Sequence, residues 1–298
     1  MTVLKRLALA LATSSGVLLG GHAVAADSAF SHFYPVTREA AQSLAGHTVF
    51  RPADLDAVTT KMPVVFWANG GCNASNFGFT YILTAMAARG FVVVANGAFD
   101  AVLAGGNVTP SKLAEAMNWI QDANNPITGQ FRGKLDTSKM AVAGQSCGGL
   151  EALVAAADPR IDTVMAFNTG FFPTPTNGYG REQLKNIQGK PVLVVNGGPQ
   201  DVAYQNSIDN YNLLIAQGTP SYLASNSHAW HSGLWFGIRD GVGDTQMLAQ
   251  AERLAVNWLD YWLNGNAVAG RYFFGPGCGL CTQPDWTVKT SMDRPDVL

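Results

Sequence analysis

The sequence predicts a three-layer α/β fold, with a mainly parallel sheet flanked by helices and no large cap. Three observations predict it. Short apolar runs alternate with helix-like segments over about two hundred residues, the pattern of βαβ units. Most of these runs are continuously apolar rather than alternating, as strands buried on both faces must be. One of them, Met140-Ala141-Val142-Ala143, ends in Gly144-Gln145-Ser146-Cys147-Gly148, and a helix-like segment at 150–157 follows. A strand, a tight turn carrying a serine and a helix form a nucleophile elbow, in which a Cβ at Gly144 or Gly148 would clash.

Taken in order, the segment to Thr37 is weakly patterned. Residues 38–44 read as a short helix, and 48–52 as an early edge strand that Pro52 ends. The run 62–68 reads as a buried strand leading into Asn69-Gly70-Gly71-Cys72. Residues 77–89 have helical spacing with Gly90 as the stop, and 91–96 is another buried strand. Pro110 suits a helix first turn, and 112–122 carries an amphipathic pattern. Beyond the elbow, 161–167 and 191–196 are strands, 207–217 is a helix and 220–225 is the last strand. A long helix covers 245–263. Only about twenty residues join the strand near Phe167 to the one at Val192, too few for a helical cap, so an open cleft is expected.

The 298 residues are 47% hydrophobic and 13% charged, with a net charge of −2. That length supports one sizeable core, and the absence of a basic excess argues against a nucleic-acid partner. Lys5 and Arg6, the apolar stretch 7–20 and Ala23-Val24-Ala25 read as a secretory signal peptide cut near Ala25 or Ala26. Residues 1–25 are therefore expected to be a signal peptide and 26–298 a single domain, secreted or periplasmic. The apolar stretch falls short of the ~20 residues that span a bilayer, so no membrane association is expected after cleavage.

Export gives the four cysteines a disulfide reading. Cys278-Gly279-Leu280-Cys281 lies in a Gly- and Pro-containing tail (about 265–298) without the second pair a zinc site wants, and reads as a local structural disulfide. Cys72 and Cys147 fall in the two loops that would flank the active site, so a bond between them is expected. The alternative is two small buried thiols. No cofactor and no metal is expected, because no His/carboxylate cluster is evident.

A serine nucleophile needs a base, and the base an orienting acid, in the order Ser, Asp/Glu, His. Asp201 follows an apolar strand and a glycine turn, which suits the acid; Asp209, inside the next helix, is a weaker competitor. His32 and His47 precede the core strands. His228 and His231 follow the last strand, and His231, beside a small residue and glycine, is preferred with His228 as the alternative base. Backbone N–H groups of Cys147 and of Gly70 or Gly71 would form the oxyanion hole. Trp67, Phe77, Trp230 and Trp235 are candidate walls for substrate, and each would serve equally as core.

Four segments carry a resemblance: Trp67-Ala68-Asn69-Gly70-Gly71-Cys72, Gly144-Gln145-Ser146-Cys147-Gly148-Gly149, Asp201-Val202-Ala203-Tyr204, and the tail from Cys278-Gly279-Leu280-Cys281 to Trp286-Thr287-Val288. With them, from about Tyr34 to Val288, the chain resembles the α/β-hydrolase superfamily. In particular it resembles secreted serine esterases near the dienelactone-hydrolase and cutinase-like polyester-hydrolase branch, and more narrowly a group of exported bacterial and fungal hydrolases. The resemblance implies Ser146 as nucleophile and Asp201 as acid. It places the base at His231, although Trp230 and Leu234-Trp235 depart from the group's small residue and Thr-Tyr. The expected function is hydrolysis of carboxylic esters through an acyl-enzyme, in an open cleft suited to bulky or polymeric esters. A peptidase or amidase, a non-catalytic binding protein and a CxxC oxidoreductase are the alternatives.

Overall fold

Among the described residues nine strands form one sheet in the order β1 (Val36–Ala40), β2 (His47–Pro52), β4 (Val92–Asn96), β3 (Met62–Ala68), β5 (Leu135–Gln145), β6 (Thr163–Phe167), β7 (Val192–Asn196), β8 (Ser221–Asn226) and β11 (Trp286–Thr290), and the chain order of its elements explains that sequence of neighbours. A computed structural model describes residues 33–100, 109–175 and 178–293; the expected signal peptide and His32 lie outside them. Strand β1 (Val36–Ala40) pairs antiparallel with β2 (His47–Pro52), which pairs antiparallel with β4. Strand β3 (Met62–Ala68) leads through α1 (Thr80–Ala88) to β4 (Val92–Asn96) on one side. Helix α2 (Pro110–Ala123) then carries the chain back to β5 (Leu135–Gln145) on the other side of β3. From there α3 (Cys147–Ala155), β6 (Thr163–Phe167), β7 (Val192–Asn196), α4 (Tyr204–Ala216) and β8 (Ser221–Asn226) extend the sheet outward. The strands from β4 to β8 in that order are all parallel. The direction of propagation reverses between β3 and β5, and a crevice at the C-terminal ends of such strands is where ligands bind in open α/β sheets.

The continuous apolar runs are explained by the two layers they separate. In β3, Val65 and Trp67 join the cluster that contains α1 and the long helix α6 (Gln246–Asn264). Val64, Phe66 and Ala68 join the cluster that contains α2, α3 and α4. Strand β5 divides in the same way, with Ala141 and Ala143 on the first face and Met140 and Val142 on the second. Burial on both faces removes the reason for a polar residue at every second position. The helix α6 is amphipathic: Leu254, Trp258 and Leu259 are buried against the sheet. This is the three-layer α/β-hydrolase arrangement that the sequence predicts. Between β6 and β7 the described residues carry only a short 3-10 turn, Arg181–Asn186, and no cap.

Two expectations at the margins are corrected. Residues 38–44 are not a helix: 38–40 belong to β1, whose backbone groups pair with β2, and a turn follows; β1 rather than β2 is therefore the edge. The chain also does not finish its sheet at β8. After α5 (Gly233–Phe236), the small hairpin β9 (Ile238–Arg239) and β10 (Val242–Gly243), α6 and α7 (Ala267–Gly270), strand β11 (Trp286–Thr290) adds antiparallel to β8. The tail is part of the core: Phe273, Phe274, Leu280 and Trp286 are buried, and the Cys278–Cys281 bond closes the turn before β11. Among the described residues no helix is long and apolar enough to cross a membrane.

Trp286 anchors this last strand. It is buried, and its Nε1 donates to Gln250 Oε1 on α6 at 2.8 Å. Trp286→Ala removes a large ring and leaves the Gln250 acceptor with one donor fewer. It is expected to cost about 3 kcal/mol in denaturant unfolding; a loss below about 1 kcal/mol would mean that β11 does not hold β8.

Candidate active site

The elbow is built by close backbone approach. A Cβ on Gly148 would strike the Ala68 carbonyl at the end of β3, and one on Gly144 would strike the Gly148 carbonyl. The contact brings β3, β5 and α3 together and forces a sharp turn. Ser146 takes it at φ 54 and ψ −119, a conformation that a residue with a side chain rarely adopts. The strain is held in place by neighbours: Ser146 N–H donates to the Phe167 carbonyl at 2.9 Å, and its own carbonyl accepts from Thr169 Oγ1 at 2.7 Å.

Three loops then converge on the serine. Ser146 Oγ lies 2.9 Å from His231 Nε2, and His231 Nδ1 lies 2.6 Å from Asp201 Oδ1. Asp201 sits in the turn after β7. Its Oδ1 also accepts from Ala203 N–H at 2.9 Å, and its Oδ2 accepts from Gly197 N–H at 2.9 Å and Asn168 Nδ2 at 2.7 Å. Burial opposes its ionisation, but these hydrogen bonds, led by that from His231, outweigh it and hold the carboxyl below the usual carboxylate range. With Asp201 as an acceptor, His231 Nδ1 carries the proton and Nε2 faces Ser146 as an acceptor. The His231 loop is pinned from behind, where Gln145 Nε2 donates to the His231 carbonyl at 3.0 Å and Asn168 Nδ2 to the Trp230 carbonyl at 3.1 Å. The sequence alone assigns no role to Gln145, Asn168 and Thr169. Their readable signal is position: Gln145 closes the apolar strand β5, and Asn168 and Thr169 directly follow β6.

The other candidates fall differently. His228 turns away, with Nδ1 at 2.8 Å from Asp240 Oδ2 and Nε2 at 3.8 Å from Asp285 Oδ1. Asp209 pairs with Arg181 at 2.6 Å, and His47 is buried in β2. Trp67 and Trp235 are not walls but core: both are buried, at 5.7 Å between ring centroids, and they pack with Phe79 and Phe167. Their indole N–H groups donate to Asn69 and Asn168 rather than facing substrate. Phe77 and Trp230 are partly exposed but outside the cleft. The cleft beside Ser146 measures about 580 Å³, and Leu150, Phe172, Tyr179 and Val202 supply its apolar surface. Cys147 and Gly71 line it, whereas Gly70 is set back against Gln145 and Phe79, so the loop after β3 meets the cleft through Gly71 and Cys72. Cys147 opens α3, so its amide is one of the N–H groups that a helix leaves without an intrahelical partner.

Cys72 and Cys147 are joined, with Cα atoms 5.2 Å apart and a sequence separation of 75. The bond ties the loop after β3 to the first residue of α3. Loss of a cross-link closing a loop of this length is expected to cost about 4 kcal/mol in the double variant Cys72→Ala/Cys147→Ala, measured by thermal or denaturant unfolding. Their sulfurs and the Glu151 carboxylate lie within 4.8 Å of one another. This is not a metal-binding set, because disulfide sulfurs offer no thiolate.

Glu151 is the one carboxylate in the apolar run of α3, and no sequence motif marks it. It is buried, and neither carboxylate oxygen has a hydrogen-bond partner. Burial raises its pKa from 4.5 to about 7. The folded protein therefore keeps this proton longer than the unfolded chain. The stability is full below pH 4.5 and declines as pH rises towards about 7, by roughly 3 kcal/mol at most. Glu151→Gln is expected to flatten that decline, so that its melting temperature gains on the wild type between pH 4.5 and pH 8. A constant offset across the range would show that Glu151 does not titrate there.

A search of curated proteins finds no match to the chain. The family model Esterase matches residues 45–163, less than half of the chain, from just before β2 to the start of β6. That segment contains Gly71, Ser146 and Cys147 and ends before Asp201 and His231. Over this segment the chain is similar to esterases, and the hydrogen-bonded Ser146, His231 and Asp201 lie at the mouth of the α/β-hydrolase crevice.

Proposed function

We propose that the chain is an exported serine hydrolase that cleaves carboxylic ester bonds. The observation that carries the reading is the continuous array from Ser146 Oγ to His231 Nε2 at 2.9 Å and from His231 Nδ1 to Asp201 Oδ1 at 2.6 Å. The similarity to esterases over 45–163 supports it.

In this mechanism the neutral His231 takes the Ser146 proton as the hydroxyl attacks the ester carbonyl. Asp201 fixes the tautomer and stabilises the imidazolium, and its own low pKa keeps it ionised while it does so. Backbone N–H groups of Cys147 and of the Gly71–Cys72 turn receive the developing oxyanion. One such donor is worth on the order of 10²–10³ in turnover. His231 then protonates the leaving alcohol. Water, activated by the same imidazole, releases the acid from the acyl-enzyme.

Between β6 and β7 the described residues carry only the short 3-10 turn Arg181–Asn186 and no cap. That supports bulky or polymeric esters as substrates and a kinship with cutinase-like polyester hydrolases. The two disulfides, together with the charged, apolar and small-residue order of the N-terminus, support export.

Kinetics on p-nitrophenyl esters of graded chain length and on a polyester film test the reading. Ser146→Ala and His231→Ala are each expected to lose at least ~10³-fold in kcat. His228→Ala is expected to stay within about threefold of the wild type, as a substitution away from the chemistry. Full activity in His231→Ala, or a preference for peptide anilides over esters, would overturn the assignment.

A further inference from the structure

Glu151 takes no part in the mechanism above, yet it lines the same cleft. It is 1% exposed, and both carboxylate oxygens are buried without a partner. Folded proteins pair nearly all their buried polar atoms, and an unpaired carboxyl is among the costliest exceptions. No lysine or arginine is among the described residues that line the cleft; its other titratable side chains are Tyr179 and His231. Burial alone shifts Glu151, and Tyr179 is raised first by its own burial and then by the nearby Glu151 charge.

What this corner lacks is donors, since both orphan atoms are acceptors. An occupant must therefore bring N–H or O–H groups. An ammonium brings three donors and the opposite charge, which acts strongly where water is excluded. A hydroxyl brings one donor and no charge, and a carboxylate would be repelled. Leu150 and Phe172 offer apolar surface along which an alkyl chain can lie in the cleft.

We propose that Glu151 is a cation subsite of the cleft, which selects esters bearing an ammonium group over neutral isosteres. The ester part of this statement rests on the proposed hydrolase function; the cation subsite does not.

Binding of hexylammonium and of hexan-1-ol to the mature, disulfide-intact protein tests it by titration calorimetry at pH 7 and low salt. The wild type is expected to bind hexylammonium at least ~tenfold tighter than the alcohol, and Glu151→Gln to reduce that ratio to about one. A bound cation stabilises the ionised carboxyl. Hexylammonium should therefore release up to about half a proton from wild-type Glu151, seen as an enthalpy that varies with buffer. This readout needs no variant and would not move if Glu151 were merely structural. Equal affinity for the two ligands, a ratio that survives in Glu151→Gln, or no proton release would each overturn the subsite. A matched pair of p-nitrophenyl esters, one ending in ammonium and one in hydroxyl, extends the test to turnover. Ammonium binding without hydrolysis of any ester would leave the subsite standing and remove the hydrolase reading. Hydrolysis that ignores the ammonium, with no preference in binding, would do the reverse.

Discussion

The negative charge of Asp201 is the fixed point of this molecule. Its side chain is shut off from solvent, so its charge persists only because donors surround it. Those donors come from different parts of the sheet: Asn168 from the end of β6, the Gly197 and Ala203 amides from the turn after β7, and His231 from the loop after β8. One carboxylate thus fixes the relative positions of three strand ends. The Gln145 side chain at the end of β5 then ties the His231 backbone to the serine turn.

The second constraint is the crowding of β3, β5 and α3. Gly148 against the Ala68 carbonyl sets a spacing that leaves Ser146 in a strained conformation with its hydroxyl exposed to the cleft. The Cys72–Cys147 bond spans the same junction covalently. In the proposed mechanism this bond holds the loop that would present backbone N–H groups to an oxyanion to the helix that would present the others, which reduces the reorganisation needed at the moment of reaction.

Much of this was legible in the sequence because strong local signals agree. The continuous apolar runs mark doubly buried strands, and Gly144-Gln145-Ser146-Cys147-Gly148 between a strand and a helix marks a turn that few other sequences support. Asp201 could be chosen because a carboxylate directly follows an apolar strand and a glycine turn. What the sequence hid depends on packing. Residues 38–44 carry no pattern that distinguishes an edge strand from a helix, and pairing with β2 decides. Strand β11 is a short run in a turn-rich tail, and its place beside β8 is a non-local event. Trp67 lies on the α6 face of its strand and cannot reach the cleft, which the pleat determines but composition does not. Asn168 works through two side-chain atoms that meet Asp201 and Trp235 only once the fold is complete.

The central claim is that the Ser146–His231–Asp201 array makes Ser146 a nucleophile. The direct measurement is peptide mapping by mass spectrometry after exposure of the folded protein to a fluorophosphonate. One adduct is expected, on the peptide that carries Ser146, absent in Ser146→Ala and formed far more slowly in His231→Ala. An unmodified Ser146 in folded wild-type protein, or labelling that is indifferent to His231, would contradict it.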